Sequence, residues 1–182
     1  LIAVYVLCKS VAQPMNKAVG IEYSADALLL IALTAILAGF IVKNGLQKKF
    51  GLCKANAPAR KFLWYLPLAL IVSRNLWLGA SENLFGWDLA CYLCAMLCVG
   101  FVEEILFRGM LFRAIEKDNH TQAVVVSSVT FGLGHIVNML NGVQSDWFVS
   151  ICQIIGAIAI GFLFVVIFDR GGSLWPCIIA HS

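Results

Sequence analysis

Read along the chain, apolar residues fall into long runs broken by short polar connections. A membrane-crossing helix needs about 20 predominantly apolar residues. By that measure residues 1–13 predict the tail of a first span, and 25–43, "ADALLLIALTAILAGFIVK", predict a second. Residues 61–79 predict a third, with Pro67 and Arg74 inside it. Residues 87–117 predict a long fourth with Gly100 as a candidate bend, 121–140 a fifth and 147–168 a sixth. A seventh starts near Ser173, and no repeat or low-complexity segment interrupts the order. The pattern predicts an all-α fold, a polytopic transmembrane helix bundle of about seven helices with the last one truncated. Residues 1–182 read as a single membrane-embedded domain. A start on Leu1 and a stop just after a helix begins make trimming at both ends the expectation.

Composition agrees with a membrane chain. Charged residues make up 13% of it, against roughly 25% in soluble domains. The net charge of +3 is too small to argue for nucleic acid, so the lipid bilayer is the expected surrounding partner. Basic residues act here as topology signals. The 43–61 connection carries Lys43, Lys48, Lys49, Lys54, Arg60 and Lys61 and no acid, which predicts a cytoplasmic loop. Alternation then puts the 113–121 and "DRGGS" connections inside and "NGVQSDW" outside, and Arg113, Lys117 and Arg170 agree. The expected location is a cell (plasma) membrane, crossed several times, and the small chain with short loops points to a bacterium. Of seven cysteines, Cys91, Cys94 and Cys98 share one helix face. With no second CxxC and no nearby His they read as packing.

Against this apolar background, "FVEEILFRG" (Phe101 to Gly109) stands out. A charged side chain at bilayer depth costs at least about 2.5 kcal/mol on insertion scales. Taking Arg113 as the cytoplasmic end of the fourth helix puts Glu103 about 15 Å into the membrane at 1.5 Å per residue. The same arithmetic puts His135 about 20 Å from the start of the fifth helix and His181 about 12 Å into the seventh. Three titratable groups from three helices share comparable depth. Adjacent side chains diverge by about 100° on a helix, so Glu103 and Glu104 take different roles. Glu104 and Arg108 stand four apart in the favoured order for an intrahelical pair. Arg108 is therefore expected to neutralise and orient Glu104, leaving Glu103 to face a polar cavity as a general base or acid. A purely structural salt-bridge knot is the competing reading, and it does not account for the histidines. In "FGLGHIVN", Gly132 and Gly134 allow close helix approach, which presses His135 against a neighbour, and Asn138 lies one turn on.

Peptide hydrolysis needs a base to activate water and a group to stabilise an oxyanion. Two histidines could bind Zn²⁺ or another divalent metal with a carboxylate as third ligand or base, the metal set being Glu103, His135 and His181. Equally, they could donate hydrogen bonds with no metal. The residues alone do not decide. There is no H-E-x-x-H and no G-x-S-x-G. A proton-coupled transporter would also keep Glu, Arg and His at midplane, but such proteins carry internal repeats.

The residues resemble a known family. "EEILFR" (Glu103, Glu104, Arg108) is similar to the E-E-x-x-x-R motif of the CAAX protease and bacteriocin-processing (CPBP, or Abi) family. "FGLGH" (Phe131, His135) is similar to its F-x-x-x-H motif, and "AHS" with His181 to the start of its third. The three motifs run in order from about residue 87 to the end, while the first half matches only in hydropathy. The resemblance implies an intramembrane endopeptidase, usually labelled a metalloprotease, of the kind that removes the last three residues of prenylated CAAX proteins. Its substrate would be a peptide or protein C-terminus, prenylated or not. Bacterial relatives imply peptide or bacteriocin maturation and self-immunity. Carried over, Glu103 activates water, His135 and His181 position it, bind metal or stabilise the oxyanion, and Glu104 and Arg108 support. The family's third motif continues to an Asn or small residue four positions past its His, which falls beyond Ser182. The alternative within the same fold is a catalytically silent peptide-binding immunity protein.

Overall fold

The structure is a computed structural model that describes residues 1–56, 65–73, 84–136 and 146–182. Its helices in chain order are α1 (Ile2–Val19), α2 (Ser24–Lys43), α3 (Tyr65–Val72), α4 (Trp87–Ile115), α5 (His120–Leu133), α6 (Trp147–Gly171) and α7 (Trp175–His181). Among the described residues there is no β-strand. Helices α2, α4 and α6 are each long and apolar enough to cross a membrane, with mean hydropathies of 2.4, 2.0 and 2.7. The protein is an all-α, multi-pass membrane bundle, as the apolar runs predict. Arg74 and Asn138, and parts of the third and fifth expected spans, lie outside the described residues.

Two details depart from the sequence expectations. Helix α1 does not stop at residue 13 but runs through Pro14 to Val19. Proline removes one backbone hydrogen bond and strains the turn before it, yet neighbouring helices make such a site tolerable in a membrane span. The stop comes instead from Gly20, in the left-handed region at φ 75°, whose N–H reaches the Asn16 carbonyl at 2.9 Å. In α4 the departure from regularity is not at Gly100, where the α-helix continues, but one turn later. Residues Ile105–Phe112 form a π-helical segment. Six of its eight residues are buried, Arg108 among them. Ser127 of α5 donates to the Phe107 carbonyl at 2.9 Å and so covers a backbone acceptor within the widened turns.

Close helix approach depends on glycine where lipid gives no hydrophobic drive. A Cβ on Gly161 of α6 would stand 3.0 Å from the Ser128 carbonyl oxygen of α5, and one on Gly132 of α5 would stand 2.9 Å from the Ile158 nitrogen of α6. These two helices therefore meet backbone to backbone at two levels. Gly100 plays the same part between α4 and α7, where a Cβ would lie 3.0 Å from the Ile178 carbonyl oxygen.

The short α7 is held at its start. Gly172 ends α6 at φ 67°, its N–H bonding the Phe168 carbonyl at 2.7 Å. The next residues are stitched to the loop after α2. The Ser173 hydroxyl donates to the Cys53 carbonyl at 2.7 Å, and the Leu174 N–H to the Gly51 carbonyl at 2.8 Å. Pro176 follows in the first turn of α7, where its missing N–H costs nothing.

Gly132→Val and Gly161→Val are each expected to cost about 1–3 kcal/mol by overpacking. Gly156, on α6 with nothing within 4 Å of an added Cβ, is the control. Thermal unfolding in detergent should show lower midpoints for the two valine variants and no loss for Gly156→Ala.

Candidate active site

Glu104 and Arg108 are both 0% exposed. Arg108 Nη1 donates to Glu104 Oε1 at 2.9 Å, the i, i+4 pair expected from spacing. The guanidinium is further held by the aromatic faces of Phe131, 4.1 Å from Cζ, and Phe164, 5.3 Å away. A desolvated cation–π contact of this kind is worth about 2 kcal/mol. Nη2 points to the Gly161 carbonyl at 3.4 Å. Glycine at 161 thus serves twice, as a close-packing point and as a backbone partner for the arginine.

His181 is brought to this pair by α7. Its Nδ1 lies 2.9 Å from Glu104 Oε1. A carboxylate only accepts, so Nδ1 carries the proton in this contact. The other ring nitrogen, Nε2, faces Glu103 Oε2 at 3.6 Å. One imidazole therefore bridges two consecutive glutamates, which reach it from different sides. Gly100, one turn before Glu104, makes this geometry accessible by letting the last turn of α7 rest on α4.

Glu103 sits differently from its neighbour. Its side chain is 12% exposed and lines a cavity of about 480 Å³. The remaining wall includes His135, His181, Phe131, Phe107, Thr130 and Met96, joined by Ile2, Tyr5, Val6 and Lys9 of α1. The expectation of a polar cavity needs correction. Most of the wall is apolar, and Glu103, the two histidines, Tyr5, Lys9 and Thr130 are polar positions set into it. His135 follows α5 in a turn, its N–H bonded to the Gly132 carbonyl at 3.1 Å. Its ring meets Phe131 edge to face at 5.8 Å, and the same Phe131 meets His181 at 5.4 Å. Phe131 is the partition against which both imidazoles and the arginine are packed.

The structure thus gathers Glu103, Glu104, Arg108, His135 and His181 from α4, α7 and the turn after α5. Sequence reasoning missed Tyr5, whose hydroxyl donates to Glu103 Oε1. It also missed Lys9, one turn on and on the same cavity wall. No signal in the sequence set them apart, since α1 also carries Ser10, Gln13, Asn16 and Lys17. Away from this region, Glu116, His120 and Asp169 are the ligand cluster found among the described residues, at the opposite end of α4 from Trp87. Glu116 there is already paired with Arg113 at 2.7 Å.

A multi-pass membrane bundle with one carboxylate and two imidazoles opening on a cavity defines the class. Residues 85–182 match a family model described as type II CAAX prenyl endopeptidase Rce1-like, and the chain belongs to that family. No curated protein and no solved structure matches the chain. The family is one of membrane endopeptidases, which implies a peptide or protein substrate in a lipid setting. Helices α1 and α2 lie outside the matched residues.

Adjacent glutamates should respond unequally to loss of charge. Glu104→Gln strands a buried arginine and is expected to cost about 3–5 kcal/mol. Glu103→Gln removes at most one hydrogen bond of net worth and should cost about 1 kcal/mol or less. Denaturation of the two purified variants beside wild type checks the difference.

Proposed function

We propose that the chain is an intramembrane endopeptidase in which Glu103 activates water for attack on a peptide carbonyl held in the cavity. The observation carrying this reading is the division between the two glutamates. Glu104 is sealed against Arg108, whereas Glu103 opens on the cavity with His135 and His181. In the reaction Glu103 takes a proton from water as the oxygen–carbon bond forms. It returns that proton to the amine when the carbon–nitrogen bond breaks. Imidazole N–H groups on the same wall stabilise the oxyanion. Tyr5 holds Glu103 in one rotamer through its hydroxyl. The apolar remainder of the wall suits aliphatic side chains or a prenyl group.

His181 can serve two versions of this chemistry. As imidazolium it donates to Glu104 and sets its charge 3.6 Å from Glu103; as neutral ring, with Nδ1 protonated toward Glu104, it leaves the Nε2 lone pair free beside Glu103. Two imidazoles and a carboxylate are donor types that suit Zn²⁺, and Glu103, His135 and His181 would hold it only after drawing together, since their ligand atoms do not stand within mutual ligating distance here. A divalent ion there would supply Lewis acidity. We also propose that residues 1–182 act as one domain, since α1 supplies part of the wall that faces Glu103.

Purified protein in detergent, assayed on prenylated and unprenylated peptides, tests the proposal. Glu103→Gln is expected to lower kcat by about 10²–10⁴-fold, the usual worth of a general base, with the fold intact. Cleavage unchanged in Glu103→Gln would refute the assignment. Activity lost to a chelator and restored by Zn²⁺ would assign the donor set to a metal, and insensitivity would assign it to the side chains alone. Tyr5→Phe should lower kcat about tenfold with little change in KM, as expected for loss of one hydrogen bond to a charged group.

A further inference from the structure

A second set of ligand-type side chains lies at one end of the bundle, away from the cavity. Glu116 follows the last residue of α4, His120 opens α5, and Asp169 is in the last turn of α6. Their ligand atoms all lie within 4.8 Å of one another. His120 Nε2 stands 3.3 Å from Asp169 Oδ2. That is longer than the roughly 2.7–2.9 Å of a charge-assisted hydrogen bond. It is the separation of two ligands on one tetrahedral Zn²⁺, where bonds of about 2.0–2.1 Å put donor atoms about 3.3–3.4 Å apart. The set is open to water, with His120 exposed and the two carboxylates half-buried.

Neighbouring groups hold two of the three donors in place. Arg113 Nη1 donates to Glu116 Oε2 at 2.7 Å, and its guanidinium rests on Phe168 at 4.5 Å. Glu116 is thereby oriented while its Oε1 stays outside that bond. The His120 ring meets Phe112 edge to face at 6.1 Å. The helix ends contribute independently. Glu116 and Asp169 both stand at helix C-termini, whose partial negative charge favours a cation.

We propose that Glu116, His120 and Asp169 bind a first-row divalent cation of the Zn²⁺ type, with water completing its coordination, and that the ion fastens the ends of α4, α5 and α6 together. One imidazole with two carboxylates suits such ions over Mg²⁺ or Ca²⁺, which take oxygen ligands. The site is distinct from the cavity, because α4 carries the chain roughly 20 Å between Glu103 and Glu116 at 1.5 Å per residue. Its bearing on the cavity is through the helices it joins. Helix α4 carries Arg108, and α5 and α6 supply the Phe131 and Phe164 rings that seat it.

The test uses the untagged full chain in detergent, stripped with a chelator and titrated with Zn²⁺ against a chromophoric indicator. His120→Ala and Asp169→Asn are each expected to lose one equivalent of Zn²⁺ or hold it at least tenfold more weakly. Zn²⁺ at about a hundredfold its dissociation constant should raise the thermal midpoint by several degrees, and His120→Ala should abolish the rise. His120 is exposed, so its alanine variant should fold, and its metal-free midpoint checks this. The Glu103→Gln/His135→Ala variant, which removes the cavity's donors, should keep both the equivalent and the rise. No Zn²⁺ binding by the wild type, or binding and stabilisation unchanged in both His120→Ala and Asp169→Asn, would overturn the proposal. Binding lost in Glu103→Gln/His135→Ala and kept in the other two would also overturn it, by placing the ion in the cavity. Equal stabilisation by Mg²⁺ would do the same, as mere screening of the carboxylates. Cleavage by His120→Ala with and without chelator reads the cavity alone, so this site and the Glu103 reading stand or fall separately.

Discussion

The site is organised around one buried ion pair. Glu104 and Arg108 are removed from solvent completely, in a segment surrounded by apolar residues. Such a pair recovers its desolvation cost only with good geometry and further partners. Here the partners are structural elements as well as groups. The arginine is seated between Phe131 of α5 and Phe164 of α6 and reaches the Gly161 carbonyl. The glutamate accepts from His181 of α7. Four helices are thus referenced to one charge pair, and the orientation of both imidazoles follows from it through Phe131.

That arrangement explains why two carboxylates can be adjacent at depth. Glu104 is neutralised locally, so Glu103 is not forced to compete for the same cation. The two residues are nevertheless linked, because His181 offers a different ring nitrogen to each. A change in the protonation of that ring is felt by both carboxylates at once. The π-helical segment that follows contributes to the same end. It carries Arg108 inward with five other buried residues, and its irregularity is absorbed by Ser127 rather than left open to lipid.

Much of this was legible in the sequence, for identifiable reasons. Apolar runs give span positions because lipid forbids unsatisfied backbone, so helices α2, α4 and α6 follow directly. The Glu104–Arg108 pair follows from i, i+4 spacing, and the separate exposure of Glu103 from the 100° step. What was not legible depends on contacts between distant helices. Tyr5 in an apolar run has no periodic signature, and its role exists only because α1 lies against α4's cavity face. The bridging geometry of His181 depends on Gly100 and on the loop after α2, neither of which signals a site alone. The apolar run suggested a span ending at residue 13, but the left-handed Gly20 sets the helix end. The apolar character of the cavity was hidden because its wall draws single residues from many elements.

The wall contributed by α1 has a bearing on how such proteins diversify. Glu103, His181 and His135 sit on α4, on α7 and just beyond α5, within the residues that match the family model. Ile2, Val6 and Lys9 belong to a helix outside that region and touch the cavity from one side. Apart from Tyr5, which touches Glu103, the α1 side chains on this wall are separate in sequence from the acidic and imidazole groups. One face of a single helix can drift, exchanging bulk or charge, and reshape the cavity while Glu103 and the two histidines stay as they are. A lineage could acquire new peptides by rewriting three or four positions in its first helix.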